Sequence, residues 1–97
     1  MATIALVDDH VLLRNGLANL LRELSYEIVL EANNGNDFIE QLKTSQQPDI
    51  VLLDINMPQK DGYETALWLK KTHPDVKVLA LSMYDDEYAI IKIRFEA

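Results

Sequence analysis

Polar side chains stand where three apolar runs stop: Asp8 and Asp9 follow TIALV (residues 3–7), Asp54 follows IVLL (50–53), and Ser82 follows KVLAL (77–81). If those runs lie side by side, their acids converge. Carboxylates at ~4 Å in an effective dielectric near 20 repel by about 4 kcal/mol per pair, so something must compensate. A hard divalent cation with oxygen ligands is the natural partner, and Mg2+ prefers one or two carboxylates plus waters and phosphate oxygens. A carboxylate left free beside such an ion suggests phosphoryl chemistry, in which an aspartate oxygen attacks phosphorus while the metal neutralises charge on the donor. The bare pair Asp8–Asp9 is as good a helix cap as a metal site; Asp54 and Ser82 tip the balance toward a site.

The elements that must position these groups alternate between two hydrophobic periods. Thr3 to Val7 is too short for a helix and reads as a buried strand. From Val11 to Leu24, Leu13, Leu17, Leu20, Leu21 and Leu24 follow helical spacing, with Arg14, Asn15, Asn19, Arg22 and Glu23 on the polar side. Tyr26 to Ala32 reads as a strand, stopped by Asn33-Asn34-Gly35. Asn36 to Gln46 carries Phe38, Ile39 and Leu42 on one helical face, closed by Pro48. DIVLLDINMP (49–58) is the third strand and its exit. Asp61 with Glu64 caps a helix that holds Tyr63, Ala66, Leu67 and Trp68 and ends near Thr72. Lys77 to Leu81 is a fourth strand closing on Ser82. Asp85 or Asp86 caps a last helix with Ala89, Ile90 and Ile93 inward.

This βα alternation with near-continuous aliphatic strands predicts a doubly wound α/β parallel sheet covered by helices on both faces. Ligands of such sheets sit at the carboxyl ends of the strands, which places Asp8, Asp9, Asp54 and Ser82 on one rim.

Ninety-seven residues make one small domain, and 48% apolar with 26% charged residues is the balance of a folded globular chain. A net charge of −7 argues against direct nucleic-acid binding by this chain and suits a cation site. No apolar run is long enough for a membrane helix. With no cysteine there is no disulfide framework or thiolate site, leaving the cytosol as the default compartment.

LVDDH (6–10), PDIVLLDINMP (48–58), DG (61–62) and LS (81–82) together resemble the receiver domain of bacterial two-component response regulators, along the whole chain. The resemblance implies the flavodoxin-like strand order, here 2-1-3-4 with the fifth strand and fifth helix missing, so that residues 1–97 read as a C-terminally incomplete receiver domain. It implies a phosphorelay phosphoacceptor rather than a turnover enzyme, with Asp54 as the acceptor. Mg2+ would be held by Asp8, by Asp9 more directly, by Asp54 and by the backbone carbonyl of Asn56. Ser82 would hydrogen-bond the phosphoryl group and swing inward on activation, and Met57 would shape access. The donor would be a histidine kinase or a small phosphodonor such as acetyl phosphate. LVDDHVLLRNGL resembles the subgroup whose receivers precede a helix-turn-helix output domain.

The chain stops at IKIRFEA, before the strand whose lysine pairs with the phosphoryl group in that family, and Lys92 on an outer face of the last helix is no substitute. The fourth strand then becomes an open edge, which predicts a homodimer joined through two such edges or by exchange of the last helix. His10 occupies a position that varies in the family, and His73 before Pro74 reads as a helix-end surface residue. Trp68 and Tyr63 read as helix packing, and Tyr84 and Tyr88 either as a partner surface or as ordinary exposed tyrosines.

Other functions fit less well. An aspartate-nucleophile phosphatase needs a second aspartate, as general acid, where Asn56 stands. A dinucleotide-binding turn needs glycines that VDDHVLLRNG lacks. The remaining alternative is an inactive receiver relic that serves only as an interaction or dimerisation module.

Overall fold

The computed structural model describes residues 2–54, 62–84 and 87–92, with residues 82–84 and 87–92 described by their backbone. The order is β1 (Thr3–Val7), α1 (Val11–Glu23), β2 (Glu27–Ala32), α2 (Gly35–Leu42), β3 (Ile50–Asp54), α3 (Gly62–Thr72), β4 (Lys77–Tyr84) and β5 (Glu87–Lys92). The sheet runs β2-β1-β3-β4-β5, and its first four strands are parallel as the sequence predicts.

Period-2 alternation sorts the central strands between two cores. Ala5, Val7, Val51 and Leu53 face one way, into a core with Phe38 and Leu42 of α2 and Ala66 and Leu69 of α3. Ile4, Leu6 and Leu52 face the other way, toward Ala18 and the half-buried Leu13, Leu17 and Leu21 of α1. Every residue of β1 is buried, which explains why it needs no polar alternation. Leu20 and Leu24, expected inward, are more than half exposed.

The register of β1 on β3 is pinned at the end of the sheet away from the candidate acids. Thr3 donates from its backbone N and from Oγ1 to Asp49 Oδ2, at 2.9 and 3.2 Å, and Asp49 N donates to Thr3 Oγ1 at 2.9 Å. From there Ile4 pairs with Ile50 and Val7 with Leu53, so the chain leaves β1 at Asp8 level with Asp54. Thr3→Val should destabilise the protein by about 1 to 2 kcal/mol, because it removes a buried hydroxyl that donates and accepts. Urea denaturation at fixed pH reads that loss.

Two helices differ from their expected outlines. Helix α2 begins at an N-cap, Asn34 Oδ1, which accepts from Asp37 N at 2.8 Å, and stops at Leu42 rather than Gln46. Thr44 Oγ1 reaches back to Gln41 O, the local bonding by which Thr competes with a continuing helix. Helix α3 buries Gly62, Thr65, Ala66 and Leu69, and leaves Tyr63 59% exposed, so its inner face is rotated from the one expected. Its proposed cap, Asp61, lies outside the described residues, as do Asp85 and Asp86.

The largest departure is at the end of the chain. The expected last helix is a strand: β5 pairs antiparallel with β4, Tyr84 opposite Glu87 and Leu79 opposite Lys92, and β4 runs on past Ser82 to Tyr84. The sheet therefore has a fifth strand, antiparallel rather than absent. The β4 edge from which a homodimer was expected is paired with β5, and β5 is the outer strand of the sheet. Among the described residues no helix is long and apolar enough to cross a membrane.

Candidate functional site

Asp8 and Asp54 end up together because parallel neighbours in register finish at the same level, and Asp9 follows at once. One carboxylate oxygen from each of Asp8, Asp9 and Asp54 lies within 4.8 Å of the others. The three differ in exposure: Asp8 is 3% exposed, Asp54 is half-buried and Asp9 is exposed.

Asp8 is tightly fixed. Its backbone N donates to Ala32 O at 3.0 Å, joining the end of β1 to the end of β2. Its Oδ1 accepts from His10 N at 2.8 Å, a local turn that leads the chain toward α1; the N-cap of α1 is His10 and no side chain caps the helix, so neither Asp8 nor Asp9 serves as the cap. Its Oδ2 is buried, and among the described residues no N–H donor reaches it; a hydrogen bond with Asp54 needs a proton on one of the two carboxyls. Burial pushes the Asp8 carboxyl up to about 6; the His10 N–H opposes this, while the charge of Asp54, a hydrogen bond with Asp54 and the charge of Asp9 add to it. A buried acceptor without a donor, beside two more carboxylates, calls for a proton or a cation.

Mg2+ fits this donor set. The ligand atoms are all carboxylate oxygens within 4.8 Å of one another, the hard donors that such an ion takes.

Ser82 lies one residue beyond Leu81, the partner of Asp54 on β4, and so at the same rim by backbone register. It stands inside β4 rather than at its end, opposite Ala89 of β5. Asn56 and Met57 lie outside the described residues. Lys92 is on a strand, not on a helix face, and pairs with Leu79, further from the rim than Leu81. His73 is half-buried against Trp68, with ring centroids 5.4 Å apart, on the side of the molecule formed by α2 and α3.

Arg14 is the residue that sequence reasoning missed. Assigned to the polar side of α1, it has a side chain only 12% exposed. Nη1 lies 2.8 Å from Asp8 O, 3.0 Å from Ala32 O and 2.8 Å from Asn33 Oδ1. Nothing in amphipathic spacing distinguishes it from Arg22. The only available signal was its place one turn into α1, from which a long fork reaches back to the ends of β1 and β2.

A family model for the response regulator receiver domain matches residues 4–97. The chain belongs to the response-regulator receiver family. Among curated proteins this receiver is 42% identical over 85 residues to the transcriptional regulatory protein DegU of Brevibacillus brevis, covering 87% of this chain and 36% of that protein. It is 31% identical over 91 residues to the chemotaxis protein CheY of Listeria monocytogenes, covering 94% of this chain and 76% of that protein. Among solved structures it resembles the response regulator TrrA of Thermotoga maritima in complex with Mg2+-BeF, with a TM-score of 0.79 at 35% identity over 88% of this chain and 72% of that one. The receiver thus spans well under half of DegU and most of CheY.

Proposed function

We propose that this receiver accepts a phosphoryl group on Asp54 in a two-component phosphorelay, in the cytosol. The observation that carries the reading is the cluster of Asp8, Asp9 and Asp54, with a buried Asp8 oxygen that no N–H donor among the described residues satisfies. Mg2+ held by Asp8, Asp9 and Asp54, with the Asn56 carbonyl, would neutralise charge on the incoming phosphoryl oxygens. An Asp54 carboxylate oxygen forms the bond to phosphorus as the donor's bond breaks: P–N in a phosphohistidine, with the imidazole taking a proton, or P–O in acetyl phosphate, with acetate leaving. Ser82 would hydrogen-bond the bound phosphoryl group. The domain ends each reaction phosphorylated, as an acceptor and not as a turnover enzyme. Membership of the response-regulator receiver family supports a histidine kinase as donor, and the Mg2+-BeF complex of TrrA supports the ion.

Incubation with acetyl phosphate and Mg2+ should give a single labile phosphoryl adduct by intact-mass spectrometry. Asp54→Asn should abolish it, and so should chelation of the metal. An adduct that persists in Asp54→Asn would place the acceptor elsewhere. No adduct under any condition would favour the inactive interaction module.

A further inference from the structure

We propose that Arg14 is a positioning residue for the cation site, setting the angle between the Asp8 and Asp9 carboxylates by holding the peptide that links them; this rests on the phosphoacceptor reading. The atom it grips is the Asp8 carbonyl oxygen, 2.8 Å from Nη1, which belongs to the Asp8–Asp9 peptide. Rotation of that peptide would swing the exposed Asp9 away from the buried Asp8. The same Nη1 reaches Ala32 O, which also accepts from Asp8 N, so a single nitrogen ties the end of β1 to the end of β2. Asn33 extends the tie: its Oδ1 lies 2.8 Å from Nη1, and its backbone N donates to Asp37 Oδ2 in the first turn of α2.

The charge of Arg14 is answered elsewhere. Nε lies 3.6 Å from Glu31 Oε1, and Arg22 meets the other oxygen of the same carboxylate at 3.7 Å. Arg14 therefore acts on the site through geometry rather than by neutralising it. A planar fork suits that task; a lysine offers a point charge without the fork.

Outer residues that orient metal ligands typically control affinity by 10- to 100-fold. Calorimetric titration with Mg2+ should therefore show a loss of about tenfold or more in Arg14→Met, and a loss of several-fold in Arg14→Lys, which keeps the stem and the charge. Glu31→Gln breaks both ion pairs but leaves the Asp8 carbonyl contact, so it should bind Mg2+ within about twofold of the wild type. Thr3→Val, destabilised at the far end of the sheet, should do the same, which separates positioning from general loss of stability. Should Arg14→Met fail to fold, Arg14→Lys against these two controls decides. Wild-type affinity in both Arg14 variants would overturn the proposal, as would an equal loss in Glu31→Gln. No Mg2+ binding by the wild type would instead overturn the phosphoacceptor reading beneath it.

Discussion

Without divalent cations the receiver should lose stability as the pH rises from about 4 to about 7, and Asp8→Asn should abolish most of that loss. The Asp8 carboxyl titrates near 6 when folded and at its ordinary 3.8 when unfolded, so between those values the folded chain binds a proton that the unfolded chain has released. The stability that this proton confers is fully present below about 3.8 and disappears as the pH passes through about 6. The difference amounts to at most about 3 kcal/mol at neutral pH. Asparagine keeps an oxygen for the His10 N–H and has no charge to desolvate. Asp8→Asn should therefore melt several degrees above the wild type at pH 7 and gain little at pH 4. Asp54→Asn should also stabilise the metal-free protein at pH 7, but by less, because desolvation of Asp8 is the larger cause of its shift and would remain. Mg2+ should replace the missing proton: at about 100 times its dissociation constant it adds about 2.7 kcal/mol to the wild type, and far less to either variant. A metal-free melting point that does not change across this pH range would mean that the acids do not form one electrostatic unit.

The acids were legible in the sequence because their positions follow from strand logic alone. TIALV and IVLL are short, aliphatic and buried on both faces, so in a parallel sheet their next residues must meet at one rim. Period 2 likewise assigns Val7 and Leu53 to one core and Leu6 and Leu52 to the other. The segment EYAIIK was not legible in this way. Ala89, Ile90 and Ile93 have helical spacing, but Tyr88, Ile90 and Ile91 are also aromatic or β-branched residues suited to a strand. Short apolar runs are ambiguous by period, and what decides this one is an unfilled partner, the hydrogen-bonding edge of β4. Arg14 was hidden for a related reason. Its acceptors are three oxygens, from the residue after β1, from the end of β2 and from the turn after β2, and no local pattern on α1 announces them.

Phe38→Ala should cost more stability than Leu21→Ala on the opposite face, in the range of about 3 to 5 kcal/mol. Phe38 is fully buried at the middle of α2 and shares its core with Ala5, Ala32 and Ala66. The α1 face responds differently. Leu21 there borders an apolar groove of about 140 Å3 that is also lined by Ile4, Tyr26, Ile50, Leu52 and Leu79. Its side chain is only half-buried and the space beside it is already open, so Leu21→Ala forfeits transfer energy with little new cavity, about 1 to 2 kcal/mol. Urea denaturation of the two variants at matched pH measures the contrast. Similar losses would mean that the two faces are packed alike. The asymmetry also reaches the acids: Val7 and Leu53 precede Asp8 and Asp54 and lie in the core that Phe38 fills, so this is the face that holds the strand ends in place.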